Sequence, residues 1–145
     1  MEYIPYIVSL VSVIIAGGAV YISYHTTSKQ IRMQAKMKIA DLRQEWIHQL
    51  REAMAQFQSF AVTPDLSHQY QQEFYRYGTK IELLMNNADR DYKNLQDCMY
   101  NLLEAISIEE KYKANPKYIE VCQEIIKREW ETLKKNLRNL IVKAL

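Results

Sequence analysis

Glycine and proline are scarce, with three of each in 145 residues. That argues against β-sandwiches, dinucleotide-binding glycine turns and long disordered linkers, all of which consume these residues. Cysteine is scarcer still. Cys98 and Cys122 stand alone, with no C-x-x-C and no partnered histidine cluster, so no metal-ligand spacing exists. They read as two buried thiols in a reducing compartment. Charge of one sign is missing too. A formal net charge of +2 gives no broad basic field, and nucleic acid is not expected as a partner. No P-loop, nucleophile elbow or glycine-rich phosphate cradle occurs, and no enzymatic activity or cofactor is expected.

What is present favours helices. The chain is rich in aliphatic residues, Glu, Lys, Gln and Arg, the side chains that lose least on entering a helix. From Ile4 to Tyr24 no charged residue appears. At 1.5 Å per residue that stretch is about 30 Å long, the thickness of a bilayer core. Tyr3 and Tyr6 at one end and Tyr21 and Tyr24 at the other suit the two membrane interfaces. Only Met1 and Glu2 precede Tyr3, which is not the positive start of a cleaved signal peptide. The expectation is a transmembrane anchor over residues 1–25. Lys29, Arg32, Lys36, Lys38 and Arg43 follow the span and no basic residue precedes it. The positive-inside bias would then put the N-terminus outside a bacterial inner membrane and residues 26–145 in the cytoplasm. Within the span, Ser9, Ser12, Ala16, Ala19 and Ser23 repeat at helical spacing. Small residues on one stripe let helices approach closely, so a homo-oligomer seam is expected there, with a serine-lined pore as a thinner alternative.

The remainder shows helical periodicity throughout. Ile39, Leu42, Trp46, Leu50, Ala53, Phe57 and Phe60 form a first stripe, and nothing at Thr26–Ser28 stops the span from running on into it. Thr63–Pro64 reads as an N-cap and first helical proline, opening a second helix with Leu66, Tyr70, Phe74, Tyr77, Ile81 and Leu84. Asn86–Asp89 closes it and offers Asp89 as the next cap, before a third stripe of Tyr92, Leu95, Met99, Leu102 and Ile106. Asn115–Pro116 repeats the cap-plus-proline signature, ahead of Ile119, Cys122, Ile126, Trp130, Leu133, Leu137 and Leu140. The predicted fold is all-α: a single N-terminal transmembrane helix and a cytosolic up-down-up-down four-helix bundle. Such a topology would return Lys134, Lys135 and Arg138 toward the membrane, where they would join Lys29, Arg32, Lys36 and Lys38 in a basic collar against anionic headgroups.

Candidate chemistry is thin. Glu45, His48 and Glu52 make one E-x-x-H-x-x-x-E run, whereas a di-iron bundle needs a second E-x-x-H, so surface side chains are the better reading. His25 and His68 have neither nucleophile nor orienting partner in sequence context. Two tryptophan-centred patches stand out, Arg43–Glu52 and Lys127–Glu131. Each Trp could fill the core while neighbouring Arg and Glu pair along the surface. Alternatively Arg43, Arg51 and Arg128 would contact a partner or an anionic ligand. Tyr75, Tyr100 and Tyr112 lie off the stripes and would suit a contact surface.

An apolar N-terminal stretch followed by R-Q-x-W-I-x-x-L-R (Arg43–Arg51), I-E-L-L (Ile81–Leu84) and K-R-E-W (Lys127–Trp130) resembles a group of small bacterial and phage-associated membrane proteins. The resemblance implies a shared helical cytosolic domain and imports no catalytic residues. The function expected from all this is a non-enzymatic, membrane-tethered interaction module that self-associates and engages a cytosolic protein. The alternatives are a membrane-perturbing effector of antiviral defence and a sensor of an anionic ligand.

Overall fold

The computed structural model of the chain describes residues 4–63 and 72–142, and for residues 4–8, 11, 141 and 142 only the backbone. The described elements are helices: α1 (Ile4–Val62), α2 (Gln72–Leu84), α3 (Tyr92–Glu104) and α4 (Ile108–Val142). The chain divides into two compact units, Met1–Ile39 and Ala40–Leu145.

The first unit corrects the expected anchor. Among the described residues no helix is long and apolar enough to cross a membrane. From Ser12 onward the apolar run ends at Ile22, and Ser23, Tyr24, His25, Thr26, Thr27, Ser28 and Lys29 follow. Val13–Ile22 covers about 15 Å of helix, half of a hydrocarbon core of about 30 Å. Gly17, Gly18 and Tyr21 dilute even that stretch. Among the described residues the fold is all-helical and the single-pass span assigned to residues 1–25 is not found, and an orientation drawn from Lys29, Arg32, Lys36, Lys38 and Arg43 presupposes that span. Within this unit the large apolar side chains Val13, Ile14, Ile15, Val20 and Ile22 are exposed. Thr26 returns its hydroxyl hydrogen to the Ile22 carbonyl at 2.9 Å, a back-bond that leaves the helix unbroken where polar residues begin.

The second unit is a bundle with one main core. Leu50, Ala53, Met54, Phe57 and Ala61 of α1 meet Phe74 and Ile81 of α2, Leu95, Met99 and Leu102 of α3, and Tyr118, Val121 and Ile125 of α4. Successive helices run antiparallel. Phe57 stacks on Phe74 and Phe60 on Tyr77, while the earlier Trp46 reaches the later Leu84. Gln96 reaches Glu82, and Met99 approaches Gly78. Across α1 and α4, Arg43 meets Glu129, Met54 meets Tyr118 and Gln58 meets Asn115. Gly78 is there for proximity: a Cβ would stand 3.3 Å from Phe57 Cε2, tighter than ordinary van der Waals contact.

Several boundaries differ from the sequence expectation. The Asn115–Pro116 pair does not start a helix. Helix α4 begins at Ile108, with Pro116 inside it, because Ser107 caps it first. The Glu110 amide donates to Ser107 Oγ at 3.2 Å, and the Glu110 carboxylate accepts from the Ile106 amide at 2.9 Å. This is a reciprocal capping arrangement spelled S-x-x-E. Pro116 costs the Tyr112 carbonyl its intrahelical donor, yet the helix continues. Asp91 rather than Asp89 takes the N-cap position of α3, while Asp89 Oδ1 accepts from the Asp91 amide at 3.0 Å and shapes the preceding turn. Helix α3 stops at Glu104, so Ile106 lies beyond it and is exposed. The expected start of the second helix at Pro64, with Leu66, His68 and Tyr70, falls outside the described residues. Thr63 itself uses its hydroxyl to donate back to Ser59 in the last turns of α1.

The burial stripes also shift. Ile39 and Leu42 are exposed, and Ala40 and Ile47 are buried in their place, beside Leu133. On α4 the inward row is Tyr118, Val121, Ile125 and Glu129, one residue out of phase with Ile119, Cys122, Ile126 and Trp130, while Leu133 is buried as its place in the expected stripe implies.

Candidate functional site

The phase shift on α4 leaves a second apolar row beside the core. Ile119, Cys122, Ile126 and Trp130 point into the seam toward α1, where they line a groove of about 420 Å³. The groove stays open because α1 offers short or polar side chains there: Ala55 has nothing beyond Cβ, and Gln58 and Arg51 turn polar ends to the rim. Trp130 consequently remains 37% exposed. The two helices are tied across the seam. The Tyr118 hydroxyl donates to the Met54 carbonyl at 3.0 Å, the Gln58 amide donates to Asn115 at 3.2 Å, and Arg43 pairs with Glu129 at 2.6 Å. On α4 the two outer ties fall at Asn115 and Glu129 and bracket the stretch between them.

The three arginines singled out from sequence separate into two kinds. Arg43 and Arg128 come together, but around carboxylates. Arg43 holds the buried Glu129, and Arg128 bonds Asp89 at 2.9 and 3.0 Å, contacts Asp91 closely and stands 3.5 Å from Glu129. This network bolts the turn between α2 and α3 onto α4 and back to α1. Its cations are already neutralised. Arg51 is different: it lies exposed on the α1 wall of the groove, as Lys127 does on the α4 wall, and neither has a hydrogen-bond or ion-pair partner among the described residues. Lys127 drew no separate attention in the sequence, where it was only the first letter of K-R-E-W.

The groove holds no activated nucleophile. Burial pushes the Cys122 thiol up to about 12, so it is protonated at neutral pH and serves as apolar lining. Burial likewise raises the Tyr118 hydroxyl and the Cys98 thiol. Glu45 and Glu52 accept from Gln49 and Gln56 on the surface of α1, and His48 is exposed beside them. No group of His, Cys, Asp or Glu suited to holding a metal ion occurs among the described residues.

The other sequence candidates lie elsewhere. Ser9, Ser12, Ala16, Ala19 and Ser23 are exposed on α1 in the first unit, as are Lys29, Arg32, Lys36 and Lys38. Lys134, Lys135 and Arg138 are exposed on α4 in the second, where Lys134 pairs with Glu131 at 3.0 Å and stands 5.8 Å from the Trp130 ring. Tyr75, Tyr100 and Tyr112 are exposed, and the first two edge a smaller hollow of about 180 Å³ near Gly78. No family model, curated protein or solved structure matches the chain.

Proposed function

We propose that the second unit is an interaction module that engages a protein partner through the groove between α1 and α4. The observation that carries this reading is the row Ile119, Cys122, Ile126 and Trp130, only partly covered beside a well-filled core and lined with two cations, Arg51 and Lys127, that are unpaired among the described residues. Apolar side chains rimmed by charge mark contact surfaces, and tryptophan and arginine, both present in the groove lining, are the side chains enriched in binding hot spots. The high thiol pKa of Cys122 and the carboxylate-filled surroundings of Arg43 and Arg128 favour contact over catalysis, and favour it over anion sensing by those two arginines.

Photocrosslinking tests it. A photoreactive residue at Gln123, on the groove wall, should trap one protein of defined mass, identified by mass spectrometry. The same residue at Lys93, exposed on α3, should not trap it, and Trp130→Glu should abolish the Gln123 product. Equal trapping at both positions overturns the reading.

The first unit supports a second activity, self-association. The exposed Leu10, Val13, Ile14, Ile15, Val20 and Ile22 form more apolar surface than a helix leaves uncovered without a partner. Small side chains at Ser12, Ala16 and Ala19 would let a second helix approach closely, with nothing within 4 Å of a Cβ built at Gly17 or Gly18. Ala16→Leu with Ala19→Leu should lower the oligomer mass in sedimentation while the bundle keeps its helical signal. An unchanged mass would show the seam to be wrong.

A further inference from the structure

The groove has a shape and a charge that restrict what can lie in it. Its floor from Ile119 to Trp130 occupies three turns of α4, about 16 Å. Its walls are two antiparallel helices, and a third helix packs naturally into such a seam, offering apolar side chains at i, i+3, i+4 and i+7. The groove is open along its length, whereas a small-molecule pocket encloses most of its ligand. Charge decides the rest. Arg51 on the α1 wall and Lys127 on the α4 wall flank the apolar floor, and both are unpaired among the described residues. A two-fold pairing of this face with itself would set these cations against their own copies, which disfavours a second copy of the chain.

We infer that the occupant is an amphipathic helix of a partner protein, with an apolar face for Ile119, Ile126 and Trp130 and acidic residues on its flanks for Arg51 and Lys127. The inference rests on the groove being the partner site. It adds the secondary structure and the charge of the segment bound. Burial of the apolar face supplies affinity, and the two rim cations choose between helices of opposite charge and fix the angle at which one docks.

The test uses the full chain and two designed helical peptides with the same apolar face, one with glutamates on its flanks and one with lysines there. Fluorescence anisotropy should show the acidic peptide binding at least tenfold more tightly than the basic one at low salt. Arg51→Glu with Lys127→Glu should reverse that order, with circular dichroism confirming an intact bundle. Both residues are exposed, so folding should survive the change. Equal affinities, no binding of either peptide, or no response to the charge reversal overturns the inference. So does displacement of the acidic peptide by dodecanoate at comparable affinity, which would mark a site for amphiphilic small molecules. Crosslinking at Gln123 to a partner segment that is extended or basic would defeat this inference and leave the partner-binding reading standing. Crosslinking to a second copy of the chain, or to nothing, would defeat both.

Discussion

Two short stretches, R-Q-E-W ending at Trp46 and K-R-E-W ending at Trp130, are nearly the same in letters and opposite in structure. In the first, the tryptophan turns inward and its indole N–H donates to the Leu84 carbonyl at 2.8 Å, closing the C-terminal end of α2. Its neighbour Glu45 faces out and bonds Gln49 along the helix. In the second, Glu129 turns inward against Arg43 and Arg128, and Trp130 is left at the groove rim. Neighbouring positions on a helix are about 100° apart, so only one of the two residues can face the core. Which one does so is set by the helix across the seam, not by the tetrapeptide. The same contrast divides the cations: Arg43 and Arg128 are consumed by carboxylates, whereas Arg51 and Lys127 meet none among the described residues.

The largest effect should come from removing the inward-facing acid. Among the described residues Glu129 is the one carboxylate that Arg43 meets and Arg43 Nε has no hydrogen bond, so Glu129→Ala leaves that buried nitrogen in a less favourable field. Breaking one side of a buried pair costs about 3–5 kcal/mol, and Arg43's partial exposure reduces this to about 2 kcal/mol in urea unfolding. Glu45→Ala, the matching change in the first patch, should cost less than about 0.5 kcal/mol. Equal losses would erase the distinction between the patches.

Next comes the inward-facing ring. Trp46→Phe keeps most of the apolar volume but removes the donor to the Leu84 carbonyl, at the orphaned end of α2. About 1–1.5 kcal/mol should be lost, and hydrogen exchange in Ile81–Leu84 should quicken.

Much of the core could be read from the chain, and the misreadings share one cause. Leu50, Ala53, Phe57, Phe74, Ile81, Leu95, Met99 and Leu102 stand at helical spacing and are buried. Helix α4 carries two adjacent apolar rows, and periodicity alone does not say which one a neighbour covers. The inner row won because Tyr118 finds the Met54 carbonyl for its hydroxyl and can be buried whole, whereas Trp130 stays 37% exposed with Lys134 over its ring. The start of α4 was legible but misassigned: Ser107-x-x-Glu110 outranks Asn115–Pro116 because it satisfies two orphan amides, while a proline within a helix that is already growing merely loses one bond. The groove was not legible, since it exists only where the short side chain of Ala55 faces the outer row across two helices.

A third cation sharpens the comparison between paired and unpaired charge. Lys111 is 1% exposed and its ammonium has no hydrogen-bond partner among the described residues, and burial lowers its pKa below the usual 10.5. Between the folded pKa and 10.5 the unfolded chain binds more protons, and stability from this residue rises with pH across that window. At neutral pH the charged amine is a cost. Lys111→Met should therefore stabilise the bundle by about 1 kcal/mol at pH 7, with the advantage shrinking as pH rises toward 10. Cys98, Cys122 and Tyr118, with raised pKa values, act in the opposite sense at alkaline pH, so the difference between Lys111→Met and the parent chain isolates the lysine. A Met variant less stable than the parent at pH 7 would mean that the ammonium is satisfied in solution.

The smallest effect on stability should come from Trp130→Ser, and it bears most directly on the outward-facing patch. Trp130 is more than a third exposed and belongs to neither core cluster, so its removal opens no cavity in the core, and Glu129 keeps its bonds to Arg43 and Arg128 whatever stands next to it. Unfolding free energy should move by no more than about 0.5 kcal/mol, the range of surface substitutions. Binding should respond quite differently. If Trp130 anchors a docked helix, its loss should weaken the acidic peptide by at least tenfold, as truncation of a hot-spot tryptophan does. Trp46→Phe should leave that affinity within about twofold, because its ring lies under Leu84 and away from the groove lining. Stability lost at Trp46 with binding kept, against binding lost at Trp130 with stability kept, is the double dissociation the two patches demand. A Trp130→Ser chain that unfolds like Trp46→Phe and binds like the parent would assign both rings to the core.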